Sequence, residues 1–339
     1  MSSEGLSRKR FIRAACGAAA GVAVSQLAAA NSIASPPSTM GVDEVAAIRT
    51  TAAAFASWDA LYGGGVIRQA VHVQLQHYVS LLGARAVPEV RSELFSAVGY
   101  FSHVAGFMAF DAYAHDDARR MFQLALSCAE EADDWHLRAK VLYCLALQAT
   151  WCGDPDAGLT FTEFSLVRAD RVTATERAML HTARSRALAK LGRVQEAAAA
   201  VGVADEEFAR RVLRDERPWT AYYNSAHHDG QIGLALWDLA VAGRFTSQAR
   251  DRLVGALDAM PAGHARAKSI GMTKLASLVM ATGDPAEAAV LGRQALDWSG
   301  PIRSRRAADD LGDLRGFAQA HGDRKDVAEL SHRIGTVIG

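Results

Sequence analysis

Residues 191–204 read L-G-R-V-Q-E-A-A-A-A-V-G-V-A: a glycine turn, then polar residues, then Ala197 and Ala204, two small residues seven positions apart. Seven residues make two helical turns, so both lie on one helix face, and their size lets a second helix approach closely. The phrase recurs along the chain. Ala118 and Ala125 lie in A-H-D-D-A-R-R-M-F-Q-L-A-L (114–126), Ala157 and Phe164 follow C-G-D-P-D (152–156), and Ala249 and Ala256 follow A-G-R-F-T-S-Q (242–248). Ala288 and Ala295 follow T-G-D-P-A-E (282–287), and Val327 and Ile334 follow H-G-D-R-K-D (321–326). The first members are separated by 39, 40, 52, 39 and 39 residues. A beat of this length marks a repeat array whose unit is helix, short turn, helix. Gly153, Gly192, Gly243, Gly283 and Gly322 fall at the turns, where a left-handed helix end favours glycine. Pro155 and Pro285 suit the first turn of the following helix, where no amide hydrogen is needed. The expected fold is an all-α, tetratricopeptide (TPR)-like α-solenoid with a period of about 39–40 residues. That unit is longer than the standard TPR of about 34, and only its second helix follows TPR spacing.

The one long interval holds about a dozen extra residues around Arg210 to Tyr223, including Asp215, Glu216, Arg217, Pro218 and Trp219. Insertions in repeat arrays map to loops, and loops often carry binding residues. Upstream, residues 43–112 also read as helical. Val71, Leu75, Tyr78 and Leu82 form an apolar face, with Arg68, His72 and Gln76 as a polar stripe. These helices, preceded by Gly63-Gly64-Gly65, are expected to cap or extend the same array. Two regions result: residues 1–40, a basic and Ala-rich segment, and residues 41–339, the repeat domain.

Half of the residues are apolar and aromatics make up 7%, which suits an Ala-rich helical protein better than a β-sandwich. Lys plus Arg and Asp plus Glu balance at 37 each, so no global field holds a polyanion, and nucleic-acid binding by this chain is not expected. Cys16, Cys128, Cys144 and Cys152 form no CxxC pair, so neither a zinc site nor a disulfide framework is indicated, and most read as small core residues. The N-terminal S-R-K-R-F-I-R (7–13), the Ala/Gly/Val stretch to Ala30 and Ala28-Ala29-Ala30 are similar to a twin-arginine export signal, with Lys9 in place of the second arginine. The stretch is too rich in alanine and glycine for a stable membrane span. The competing reading is a linker between an upstream domain and the repeats.

Three phrases resemble a known family: W-D-A-L-Y-G-G-G (58–65), G-F-M-A-F-D-A-Y-A-H-D-D-A-R-R-M-F-Q-L-A-L (106–126) and S-R-R-A-A-D-D-L-G-D-L-R (304–315). Together they are similar to the C-terminal TPR-like region of actinobacterial helix-turn-helix regulators of the xenobiotic-response-element type, over residues 40–335. The resemblance implies a sensing or protein-interaction module with no catalytic residues. Family members carry a basic phrase and an Ala/Gly-rich stretch ahead of the repeats, like Arg8 to Ala30, which favours the linker reading and a cytoplasmic location over export. The helix-turn-helix domain itself is not in this sequence, so DNA binding does not carry over.

In such solenoids the concave face, lined by the first helix of each repeat, is the usual ligand surface. The candidates for it are Trp58, Asp59 and Tyr62 at helical spacing, Arg68, Phe107 and Asp111 four apart, and Trp219, Tyr223 and His227 at the insertion. For each group, repeat packing is the competing explanation. His227 and His228 are adjacent on a helix and point about 100° apart, so they do not share a metal ion. No nucleophile elbow, HExxH, P-loop or dinucleotide glycine motif is present. Arg303 to Arg306 reads as a solvated helix start. The chain is therefore read as a non-enzymatic module without cofactor or metal, taking a protein, peptide or small molecule in its groove, with a homodimer among the assemblies it allows.

Overall fold

The computed structural model describes residues 39–62, 68–260, 265–299 and 305–338. Among these there are fourteen α-helices and no strand, in an all-α array of consecutive helix pairs. The expected export-like or linker segment, Cys16, the side chain of Tyr62, Gly63 to Gly65 and Arg303-Ser304 lie outside the described residues.

Two helices open the array, α1 (Val42–Tyr62) and α2 (Arg68–Leu81), both packed on α3. Six hairpins follow: α3 (Pro88–Asp111) with α4 (His115–Glu131), α5 (Trp135–Trp151) with α6 (Pro155–Leu166), and α7 (Ala174–Lys190) with α8 (Val194–Ala209). The remaining three are α9 (Ser225–Val241) with α10 (Thr246–Ala259), α11 (Ala265–Thr282) with α12 (Pro285–Ser299), and α13 (Arg305–Ala318) with α14 (Lys325–Ile338). The odd-numbered helices from α3 to α13 stack in sequence on one side, and the even-numbered ones form the outer layer.

The small-residue pairs do what their spacing requires. Ala118, Ala125, Ala197, Ala204, Ala249, Ala256, Ala288 and Ala295 are buried, as are Val327 and Ile334. One copy is displaced. On α6 Ala157 is only half-buried and Phe164 is exposed, while the inward positions one residue later are Gly158 and Ser165. A β-carbon at Gly158 would lie 2.3 Å from Thr150 Oγ1 and 3.1 Å from the Ala146 carbonyl, so here the helices touch backbone to backbone. The phrase after C-G-D-P-D therefore aligns with the other copies when Pro155 occupies the first helical position, as expected.

The turns follow one design with mixed residues. Gly153, Gly192 and Gly243 have φ of 87°, 71° and 82°, and each is followed by an amide that reaches back to close the preceding helix. Tyr113 and Asp133 occupy the same position at φ 63° and 51° with the same closing bonds, although a β-carbon is disfavoured there. Gly283 and Gly322, expected to be left-handed, are not: Gly322 has φ −67°, in a turn that leaves through a short 3₁₀ segment. Side-chain caps complete several starts: Asp134 accepts from Leu137 N, Asp154 from Ala157 N and Asn224 from His227 N. Thr173 and Glu176 form a reciprocal capping box.

A small rotation at each repeat curves such arrays, and here the curvature brings the two ends into contact. Arg306 on α13 donates from Nε and Nη2 to Asp111 Oδ1 at the end of α3, at 3.0 and 2.7 Å. Asp111 is 1% exposed. Beside it, the hydroxyl of Tyr113 donates to Asp309. Helix α1 also contacts α11. The opening helices thus extend the array, and α1 also touches its penultimate hairpin.

Candidate functional site

Inside this curve lies a cavity of about 720 Å³, within the range that takes up small ligands. Every odd-numbered helix from α1 to α13 supplies part of its wall, and so does the insertion between α8 and α9. On α5 the lining residues are Lys140, Tyr143, Cys144, Leu147 and Trp151, a single face at helical spacing. On α3 they include Ser96, Tyr100, His103, Val104 and Phe107.

The insertion folds over the concave side and is pinned at several points. Glu216 accepts from Thr175 Oγ1 and from Thr220 Oγ1. Arg217 lies 2.6 Å from His136 Nε2, and His136 Nδ1 lies 2.7 Å from the buried Glu176. The hydroxyl of Tyr223 lies 3.2 Å from both Thr182 Oγ1 and His228 Nδ1, with Asp205 2.8 Å behind His228. Trp219 reaches across to Tyr100, with ring centroids 5.2 Å apart, and Tyr222 accepts from Lys140 Nζ at 2.8 Å. The segment that breaks the repeat period is thereby held as part of the cavity wall.

The wall is aromatic, and its charges are unevenly matched. Arg49 pairs with Glu93, Lys274 with Asp310 and Asp313, and Arg306 with Asp111. Lys140 and Arg186 have no carboxylate partner among the described residues. Lys140 is 7% exposed, and its ammonium donates to the Tyr222 hydroxyl and lies 4.7 and 5.7 Å from the rings of Tyr222 and Tyr143. Burial opposes its charged form, but Tyr222, Cys144 and Tyr100 outweigh that and hold its pKa above the ordinary lysine value. Arg186 lies 6.0 Å from the Trp151 ring. Two buried polar atoms of the wall, His103 Nδ1 and Trp219 Nε1, have no hydrogen-bond partner among the described residues. Burial, together with the Lys140 charge, lowers the His103 pKa to about 3, so this imidazole is neutral. Burial likewise raises the hydroxyls of Tyr100, Tyr143 and Tyr223, and it raises the Cys144 thiol to about 11.

Of the candidates named from the sequence, the structure brings Asp59, Phe107, Trp219, Tyr223 and His227 together on the cavity wall. Trp58 is half-buried against the core, edge-on to Phe55. Arg68 pairs with Asp117, away from the cavity, and Asp111 stands just behind the wall in the contact with Arg306. Tyr223 is 4% exposed and is tied into the Thr182–His228 network, so much of its role is packing. Lys140, Arg186, Tyr100, His103, Tyr143, Trp151 and Tyr222 were not singled out from the sequence. The signal for Lys140 is its position as the sole charge in A-K-V-L-Y-C-L-A-L (139–147). No group of three or more His, Cys, Asp or Glu that could hold a metal occurs among the described residues. No helix among them is long and apolar enough to cross a membrane. Neither a protein-family model nor a curated protein matches the chain.

Proposed function

We propose that this chain is a TPR-like regulatory binding module that takes up a ligand in the cavity of its concave face and presents the liganded array to a partner. The observation that carries this reading is the cavity itself, about 720 Å³, aromatic-walled and covered by an insertion whose own residues Trp219 and Tyr222 face the lumen. A packing-only role for the insertion would leave no reason for a buried ammonium with no carboxylate partner among the described residues at its edge. The resemblance of three phrases to the C-terminal region of helix-turn-helix regulators supports a sensing role rather than catalysis. The regulator reading places the module in the cytoplasm. The S-R-K-R-F-I-R phrase favours a second reading, an exported adaptor with the same cavity, which N-terminal sequencing of the native protein distinguishes.

The test is native mass spectrometry of the protein isolated from its own organism, compared with Gly230→Phe. Gly230 lines the cavity, and the nearest atom to a β-carbon there is Ala256 Cβ at an ordinary 3.5 Å, so the new side chain starts without a clash and takes up space at the wall. The expected result is a bound small molecule or peptide in the native protein and none in the variant. Equal occupancy in both would refute the cavity as the site.

A further inference from the structure

We infer that the cavity selects an organic anion: a ligand with a flat or branched apolar body and one acidic group, carboxylate or sulfonate, seated on Lys140. This rests on the binding reading above and gives it a ligand class.

The cations on the wall divide into two kinds. Arg49, Lys274 and Arg306 have carboxylates in place and need nothing further. Lys140 is more than nine-tenths buried and, among the described residues, has a single neutral acceptor, the Tyr222 hydroxyl. An ammonium carries three donors, and burying it away from water is unfavourable unless those donors and the charge are met. An acidic group on the lumen side supplies both. The wall's own carboxylates do not: Asp310 is held by Lys274 at 2.8 Å, and Asp59 is buried and has a partner of its own.

The surroundings of Lys140 define the rest of the ligand. Tyr143 stands one turn along α5 from Lys140, and its hydroxyl also feels the charge of Arg186. The positive potential therefore continues from Lys140 toward Trp151, over which Arg186 lies. Tyr100, whose hydroxyl feels the Lys140 charge, and Trp219 form a pair of rings on the same wall, tilted 31° to one another, a surface suited to a planar group. His103 Nδ1 and Trp219 Nε1 offer buried polar atoms that have no hydrogen-bond partner among the described residues. With its pKa near 3, His103 adds no charge, so the cation that fixes the acid is Lys140.

Two fluorescent probes of nearly one shape separate the charge from the apolar body: anilinonaphthalene sulfonate and its neutral counterpart N-phenylnaphthylamine. On apolar grounds alone the neutral probe binds more tightly. The inference predicts the reverse order in the unmodified protein. It further predicts that Lys140→Met weakens the sulfonate by roughly tenfold or more, the loss of one charge-assisted contact, and leaves the neutral probe within about twofold. Arg186→Gln, at a half-buried position that has no ion pair among the described residues although Asp310 feels its charge, should weaken the sulfonate in the same direction and serves if Lys140→Met does not fold. Gly230→Phe should reduce both probes. If the neutral probe binds more tightly in the unmodified protein, or if both lysine and arginine variants change the two probes equally, the anion assignment is wrong and the cavity reading stands. If Gly230→Phe changes neither probe, the cavity reading itself falls and takes this inference with it.

Discussion

Replacing Arg306 by methionine tests how the array closes. The Arg306 side chain is 14% exposed, and its guanidinium donates twice to the buried Asp111 and lies 4.7 and 5.4 Å from the rings of Phe110 and Phe107. Methionine keeps most of the stem's contact with those rings and removes the charge. Breaking one side of a buried ion pair destabilises by about 3–5 kcal/mol, because the remaining charge stays buried. Asp111 has a further interaction of its own, so the lower end, about 3 kcal/mol, is the expected loss. Urea unfolding measures the total. Amide hydrogen exchange shows where it falls, with α13 and α14 opening ahead of the other helices because their tie to α3 is lost. The double variant Asp111→Leu with Arg306→Met should recover most of the loss, since a well-packed apolar pair often replaces a buried ion pair without penalty. A single variant within about 0.5 kcal/mol of the unmodified protein, or a double variant less stable than the single one, would refute the closing role given to this contact.

Other outcomes follow from particular positions. Gly158→Ala should lower stability by about 1–3 kcal/mol in thermal or urea unfolding, because the added methyl overlaps Thr150 Oγ1 and the Ala146 carbonyl. Asp133→Gly should raise it by about 0.5–1 kcal/mol, since the exposed Asp133 holds φ 51° where the homologous turns have glycine. His103 is neutral when folded, with a pKa near 3 against 6.5 unfolded, so the unfolded chain takes up the proton first. Its contribution is present above about pH 6.5 and is lost as the pH falls toward 3, up to about 1.4 kcal/mol per unit over that window. His103→Leu should flatten the stability profile there, and an unchanged slope would contradict the burial assigned to it.

The repeat was readable because its outer helices carry a small-residue signature that close packing enforces: Ala118 and Ala125 or Ala249 and Ala256 cannot grow without separating two helices. The displaced pair on α6 shows the limit of that reading. Gly158 and Ser165 are as small as the alanines they replace, but Ala157 and Phe164 fit the same seven-residue spacing in the sequence, and only the helix start at Pro155 sets the register. The inner helices have no comparable signature. W-H-L-R-A-K-V-L-Y-C-L-A-L-Q-A-T-W is apolar nearly all round, because α5 is packed on its neighbours and faces the cavity as well. Lys140 and Tyr143 therefore look like interruptions of a core helix. Trp219 and Tyr223 were visible as part of a break in the period, while Tyr222, next to them, gains its meaning only from Lys140, 82 residues earlier. The contact between Asp111 and Arg306, 195 residues apart, depends on a rotation accumulated over all the repeats, which no local pattern encodes.

The most direct test of the cavity as a selective ligand site is a crystal structure of the protein grown with anilinonaphthalene sulfonate. The expected density places the naphthyl ring beside Tyr100 and Trp219, inside the curve of the array, with a sulfonate oxygen within hydrogen-bond distance of Lys140 Nζ. A probe bound on the outer layer of helices, or inside the cavity with its sulfonate turned away from Lys140 and Arg186, would contradict the account.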